Sequence, residues 1–299
     1  MASRSERVLV TGSRGFTGRH LCARLRGYGY HVIGLTDALP AGRDEVHANL
    51  LDADATGQAV RIASPDRVVH LAGVSFVAHE NVEEIYRTNL LGSLALLQAL
   101  AALPERVRCV VLASTANVYG NAQGESIDEA VPPCPVSHYA ASKLAMEHMS
   151  ATFRDVLPIV IVRPFNYTGP GQPGHFLVPK IVTHFRQHAS KIELGNIDVV
   201  REFMDVRVVA EIYHRLLECP GAIGETVNIC SGRGIALREV VAMLEEATGR
   251  NIEIVVNPQL VRASEIHRLV GCPRKLEGLI GGVPDLPFTT TLRDMLEQR

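Results

Sequence analysis

Tyr139 and Lys143 stand four residues apart in Tyr139-Ala140-Ala141-Ser142-Lys143, a spacing that one turn of helix brings onto a single face. Thr115, at the end of a β-rich run, adds a hydroxyl. A phenol, an ammonium and a hydroxyl are the parts that reduction of a carbonyl requires. The phenol gives a proton to the oxygen as hydride reaches carbon. The cation is expected to lower the phenol pKa, and the second hydroxyl keeps the oxygen in line. Seven Tyr and four Lys in 299 residues give a chance expectation of about 0.09 for such a pair. The lysines are Lys143, Lys180, Lys191 and Lys275, and every other basic residue is an arginine.

Hydride needs a carrier, and Thr11-Gly12-Ser13-Arg14-Gly15-Phe16-Thr17-Gly18 offers a place for one. This Gly-x-x-Gly-x-x-Gly turn lies between a buried-strand run, Arg7 to Val10, and a helical stretch from Thr17 to Arg26. Glycines let the chain turn sharply and let a pyrophosphate approach the helix N-terminus, where amides and the helix dipole favour an anion. NAD users usually carry an acid at the end of the second strand. Here Thr36 takes that place, with Asp37 just after it, and Arg14 stands within reach of a 2′-phosphate. The reading therefore leans to NADP(H) over NAD(H).

The elements that must hold these residues alternate. Strand runs at 7–10, 31–35, 45–50, 67–71, 108–113 and 157–163 are separated by helical segments near 17–26, 53–63, 80–102 and 138–154. That alternation predicts a doubly wound parallel α/β sheet. Pro164, Pro170, Gly171, Pro173 and Gly174 then break the pattern, and 205–217 with 225–230 return to it. Residues 1–168 and 204–231 are expected to form the dinucleotide-binding domain, with 169–203 and 232–299 as a smaller second lobe. A net charge of −2 argues against nucleic acid as partner. The apolar stretch from Leu90 to Leu103 is interrupted and too short to span a bilayer, and the first residues show no signal-peptide core. Six scattered cysteines read as buried free thiols in a reducing cytoplasm. His184 and His188, four apart on an expected helix, lack the partners of a zinc site, and His138 is a helix-start residue beside Tyr139.

With these residues in view, the chain resembles the extended short-chain dehydrogenase/reductases of the NAD-dependent epimerase/dehydratase type over essentially its whole length. The likeness runs through Gly12, Gly15 and Gly18, Asn49-Leu50-Leu51-Asp52, His70-Leu71-Ala72-Gly73, Asn89, Ser114 to Gly120, Tyr139 and Lys143. It implies Thr115, Tyr139 and Lys143 as catalytic triad, with Lys143 also on the nicotinamide ribose. It implies cofactor contacts from Asn49, Leu50, Leu71, Ala72, Gly73 and Asn89. Asn49 and Thr36 depart from the aspartates usual at their places.

Dehydratases of this type carry carboxylates directly after the catalytic Thr, where this chain has Ala116 and Asn117. Asn117 also replaces the Cys of the 3,5-epimerase/reductase branch. Ser75-Phe76-Val77, Arg163 to Gln172 and Arg201 to Arg207 are similar to the GDP-4-keto-6-deoxymannose reductases. That resemblance implies Ser75, Phe76, Ala116 and Asn117 at the sugar and Asn166 on its diphosphate. Val178, Lys180, Asn196, Arg201, Arg262 and Glu265 would line the nucleotide pocket. Near the C-terminus the usual Asp–Lys pairing is replaced by Cys272-Pro273-Arg274-Lys275. The expected activity is NAD(P)H-dependent reduction of a GDP-linked 4-keto-6-deoxy sugar for polysaccharide synthesis, by a homodimer built on helices near 91–102 and 139–153. The alternatives are a UDP-hexose 4-epimerase with tightly bound NAD and, more remotely, a non-catalytic dinucleotide sensor.

Overall fold

Runs of consecutive apolar residues become strands where both faces of a sheet are covered, and the chain up to residue 164 forms six strands of the main sheet, five of them on such runs. In the computed structural model, which describes residues 5–39, 42–75, 81–260 and 266–298, they are β1 (Arg7–Thr11), β2 (His31–Thr36), β3 (Glu45–His47), β4 (Arg67–His70), β5 (Cys109–Ala113) and β6 (Ile159–Pro164). After β6 come short strands β7 (Tyr167–Thr168), β8 (Lys191–Leu194), β9 (Val200–Arg201) and β10 (Met204–Asp205). The chain then returns to the main sheet as β11 (Thr226–Ile229). That sheet is wholly parallel in the order β11-β6-β5-β4-β1-β2-β3. β3 is shorter than the expected 45–50 because Asn49 and Asp52 turn the chain into the next helix, the Asp52 carboxylate accepting from Ala55 N at 3.0 Å.

Alternation along each strand splits the core in two. Val8, Val10, Val69, Val111, Val160 and Val162 face one side, under α1 (Phe16–Gly27). Leu9, Val68, Val110, Leu112, Ile159 and Ile161 face the other, under α2 (Ala53–Ala63). The second face is completed by a helix broken into α3 (Val82–Tyr86), a π-helical turn at Arg87–Gly92 and α4 (Ser93–Ala101), and then by α5 (His138–Ser150). Each fully buried Val, Leu or Ile contributes roughly 1.5–3 kcal/mol, so this double layer outweighs any single polar contact in holding the sheet.

A separate cluster lies beyond the sheet. It joins α6 (Leu177–Arg186), β8 and later segments of the chain through Ile181, Phe185, Ile192, Leu244 and Leu292. α7 (Val206–Leu217) returns to the α1 face, where Ile212, Tyr213 and Leu216 are buried. The remaining elements are β12 (Ile235–Ala236), α8 (Leu237–Thr248), β13 (Glu253–Val256), β14 (Arg268–Leu269), α9 (Arg274–Ile280) and α10 (Phe288–Glu297). Of these, α9 packs back on the main sheet through Leu276. All six cysteines are unpaired; Cys22, Cys109 and Cys230 are buried, but Cys134 is exposed, contrary to the expectation of six buried thiols. Among the described residues no helix is long and apolar enough to cross a membrane.

Candidate active site

The glycine turn closes at the C-terminal end of β1, where Gly15 N donates to Gly12 O at 3.0 Å. Gly12 has φ +66°, and a Cβ there would stand 2.9 Å from Ala72 N, so this position needs glycine twice over. A Cβ on Gly18 would overlap Gly12 O, which lets α1 start directly against the turn. Gly15 caps α1 without a side-chain hydrogen bond, and the first turn holds no acid. Unblocked helix amides beside a tight glycine turn fit a dinucleotide pyrophosphate. Phe16 stacks on Tyr167 with centroids 6.1 Å apart, and Thr17 Oγ1 is 2.7 Å from the Tyr167 hydroxyl, so the start of α1 also fixes the segment after β6.

Where adenosine contacts are expected, Thr36 Oγ1 accepts from Ala38 N at 3.1 Å, while exposed Asn49 turns its Oδ1 to Leu51 N at 2.9 Å; Leu50 is buried. Asp37 is exposed. Arg14 is held by Glu45 of β3 through Nε–Oε1 at 3.0 Å and Nη2–Oε2 at 2.6 Å. Glu45 was not among the expected residues; β2 pairs it with Gly34, an arrangement that only the sheet register reveals.

β4 ends at His70, whose ring is fully buried. Thr11 Oγ1 lies 2.7 Å from its Nδ1 and Ser93 Oγ 2.8 Å from its Nε2. Ser93 donates to Asn89 O at 2.7 Å and Thr11 accepts from Ala72 N at 3.1 Å. Those outer bonds fix the proton on Nε2, with Thr11 donating to Nδ1. Burial and then the Lys143 charge push His70 down to about 3. Asn89, expected at the cofactor, grips Val74: Oδ1 accepts from Val74 N at 2.8 Å, and Nδ2 donates to Val74 O at 3.1 Å and to Ser142 Oγ at 3.0 Å. Its side chain thereby shapes the Leu71–Ser75 segment that follows β4.

The triad assembles where β5 ends. Ser137 caps α5, accepting from Ala140 N at 3.2 Å, and the first two turns deliver Tyr139 and Lys143 to one buried face. The Tyr139 phenol is hydrogen-bonded to Thr115. Asn117 holds Thr115 in turn, its backbone N and Nδ2 donating to Thr115 Oγ1 at 3.2 and 3.0 Å. Lys143 Nζ donates to Ala113 O at 2.8 Å and lies close to Gly73, where a Cβ would be 3.3 Å away. Burial raises the Tyr139 phenol to about 12, against the hydrogen bond from Thr115. Burial also lowers Lys143 to about 8, against the charge of Glu147. The lowered phenol expected from Lys143 is therefore corrected: burial dominates at Tyr139, and the phenol keeps its proton, the form a proton donor needs.

The other expected contacts lie in varied surroundings. Ala116 is fully buried with Val118, Tyr119 and Phe165, so it presents no surface to a sugar. Val178 is buried in the second cluster. Lys180 Nζ donates to Glu193 O at 2.9 Å, and Asn196 Oδ1 accepts from Asp198 N at 2.9 Å. Arg201 bridges β9 to the start of β14, donating to Ile266 O and to His267 O at 3.3 Å. Asn166 and Ser75 are exposed, while Phe76, Arg262 and Glu265 lie outside the described residues. His188 sits past the end of α6 at φ +56°, so it does not share a helix face with His184. Exposed His138 approaches the Tyr86 hydroxyl at 3.3 Å.

Comparison with known proteins agrees with this geometry. Residues 8–230 match the model of the NAD dependent epimerase/dehydratase family. The chain is 35% identical over 293 residues to a GDP-6-deoxy-D-talose 4-dehydrogenase of Aggregatibacter actinomycetemcomitans, covering 98% of this chain and 96% of the relative. It is 33% identical over 303 residues to a GDP-6-deoxy-D-mannose reductase of Pseudomonas aeruginosa, again covering 98% and 96%. The solved structure of RMD from Pseudomonas aeruginosa complexed with NADPH superposes with a TM-score of 0.85 at 33% identity, over 98% of this chain and 96% of that one. A parallel sheet, a glycine turn and a buried Thr–Tyr–Lys set thus coincide with full-length similarity, and the chain belongs to the NAD dependent epimerase/dehydratase family.

Proposed function

We propose that this chain reduces the 4-keto group of a GDP-linked 4-keto-6-deoxyhexose, giving GDP-rhamnose or GDP-6-deoxytalose, with NADP(H) preferred to NAD(H). The observation that carries the proposal is the buried contact of the Tyr139 phenol with Thr115 beside Lys143, with no carboxylate at Ala116 or Asn117. Relatives named for GDP-6-deoxy sugars supply the substrate class. Residues 1–168 with 204–231 would bind the dinucleotide and the remainder the sugar nucleotide. Exposed Leu91 on the π-helical turn beside α4 suits a second copy of the chain, and the unpaired thiols suit a reducing cytoplasm.

Gly12, Gly15, Gly18, the adjoining α1 amides and Arg14 would hold the dinucleotide, which when bound supplies the hydride. Thr115 and Tyr139 would take the substrate oxygen between their hydroxyls, and Tyr139 would release its proton to it. Lys143, braced on Ala113 O, stabilises the phenolate left behind. Burial of all three keeps water from competing for those bonds. Neither Ala116 nor Asn117 can move a proton, so this chain lacks the extra acid and base of a dehydratase.

Following the nicotinamide absorbance of purified protein given NADPH and GDP-4-keto-6-deoxymannose tests the reading. Steady oxidation with formation of a GDP-6-deoxyhexose is expected. Absence of oxidation, with interconversion of UDP-hexoses by protein carrying its own NAD, would make the chain a 4-epimerase instead.

A further inference from the structure

One turn below Lys143 on the same face of α5 lies Glu147, which neither spacing nor similarity assigns a part in the chemistry. We propose that Glu147 is a positioning residue for the reduction, holding Lys143 charged and Thr115 in register from beneath the catalytic pair; this rests on the reductase reading. Its carboxylate is 6% exposed and is gripped by Arg163 of β6, Nε to Oε1 at 3.0 Å and Nη2 to Oε2 at 2.6 Å. Ser114 Oγ donates to Oε1 at 2.5 Å. Ser114 stands between Ala113, whose carbonyl receives Lys143 Nζ, and Thr115 itself. One carboxylate therefore holds Ser114, the residue between the carbonyl that receives Lys143 and the hydroxyl that meets Tyr139.

The anchor is itself closed. Arg163 Nη1 donates to the Tyr119 hydroxyl at 3.0 Å, and Tyr119 donates to Asn228 Oδ1 at 2.8 Å. A network with every member satisfied is stiff, and breaking one buried charge out of it is costly. Position alone would make Glu147 structural. Its charge adds more. Lys143 is faced by Glu147 from its own helix, by the Ala113 carbonyl from the end of β5, by Asn89 from the π-helical turn across Gly73 and by neutral His70 from β4. Burial draws Lys143 toward the uncharged amine, and the Glu147 charge opposes it.

The test is kcat for GDP-keto-sugar reduction against pH in wild-type protein and Glu147→Gln, a change that keeps shape and an acceptor for Ser114. The alkaline limb should move down by about half a pH unit or more, with kcat recovering toward wild type as pH is lowered and with KM for the sugar nucleotide little changed. Loss of kcat by one factor at every pH, the limb staying in place, would overturn the charge role. If Glu147→Gln does not fold, Glu147→Gln with Arg163→Met removes an opposite pair of charges; because Arg163 acts on Lys143 against the nearer Glu147, a smaller downward shift of the limb supports the charge role and a stationary limb overturns it. Ser114→Ala touches no charge: a fall in kcat of about threefold or more without movement of the limb is expected, and unchanged kcat would overturn the register role. An inactive wild type would refute the reductase reading; an active wild type whose variants behave like it would refute this inference alone.

Discussion

At the level of single residues, two side chains near the cofactor turn and the triad carry separable effects. Tyr139 is the sole proton donor placed at the substrate oxygen in this mechanism, so Tyr139→Phe should lower kcat by about 10²–10⁴-fold. Dinucleotide affinity, measured by titration of the same variant, should persist, because the proposed pyrophosphate site, Gly12 to Gly18, is left intact. Loss of both together would show that Tyr139 is structural. Arg14 is drawn two ways. Its guanidinium is fixed by Glu45, whose carboxylate is held below the usual range by hydrogen bonds from that guanidinium and from Gly42 N. A 2′-phosphate must share the cation with this acid. Glu45→Gln should therefore tighten NADP(H) relative to NAD(H) by about two- to fivefold, and Arg14→Ala should weaken it by a similar factor. A ratio of dissociation constants unmoved in both variants would refute the 2′-phosphate role. The triad and Arg14 were legible in sequence because their chemistry is local or periodic. Glu45 and Glu147 were not, because a carboxylate 31 residues from Arg14, or one helix turn past a catalytic lysine, looks like any surface charge until the sheet is assembled.

Elements were legible wherever a cap and an apolar period agree. α2 begins at Asp52 and α7 at Asp205, each carboxylate accepting from a backbone amide of the first turn. Misreadings fell where a turn overrode the pattern, as at Asn49 after β3 or His188 after α6. Asp205 also does more than cap. It pairs with Arg207 at 2.7 Å and accepts from Thr291 Oγ1 of α10 at 2.8 Å, while Arg207 reaches Asp294 at 2.7 Å. Burial alone would raise this carboxyl, but the bonds from Arg207 and Thr291 overcome it and hold it below its ordinary value. The start of α7, under the main sheet, is thereby tied to the last helix of the second cluster. Asp205→Ala removes a cap and two buried acceptors, a loss of roughly 2–4 kcal/mol in denaturant unfolding. Gly18→Ala acts on the other helix of that face. Its methyl would enter Gly12 O, so both stability and dinucleotide binding should fall, whereas the exposed control Gly27→Ala, with open space around it, should lose neither.

For the whole molecule, alternation predicted a parallel sheet, and the apolar runs could be assigned to it. Which buried polar groups lock its layers together could not, because Thr11, His70, Ser93 and Asn89 are drawn from three distant segments and none is unusual alone. That lock sets how the fold responds to acid. His70 is neutral in the folded chain, lowered to about 3 by burial and by Lys143, and returns to its ordinary 6.5 on unfolding. A group depressed on folding contributes stability above its unfolded pKa and loses it as pH falls toward the folded value. Stability should therefore decline below pH 6.5, by about 2 kcal/mol at pH 5 from His70 alone. His214, lowered by burial despite Glu211 and Glu218, adds in the same direction. The depressed carboxylates of Asp205 and Glu211 are still ionised in this window and lose their contribution only at more acid pH. Glu202, a buried carboxyl raised by burial, works in the opposite direction as pH falls, so urea midpoints between pH 7.5 and 5 read the histidines against it. His70→Asn, which removes the titrating ring, should begin less stable but fall less steeply across the window. Parallel slopes in the two proteins would mean that protonation of His70 does not limit the fold and that the acid sensitivity lies elsewhere.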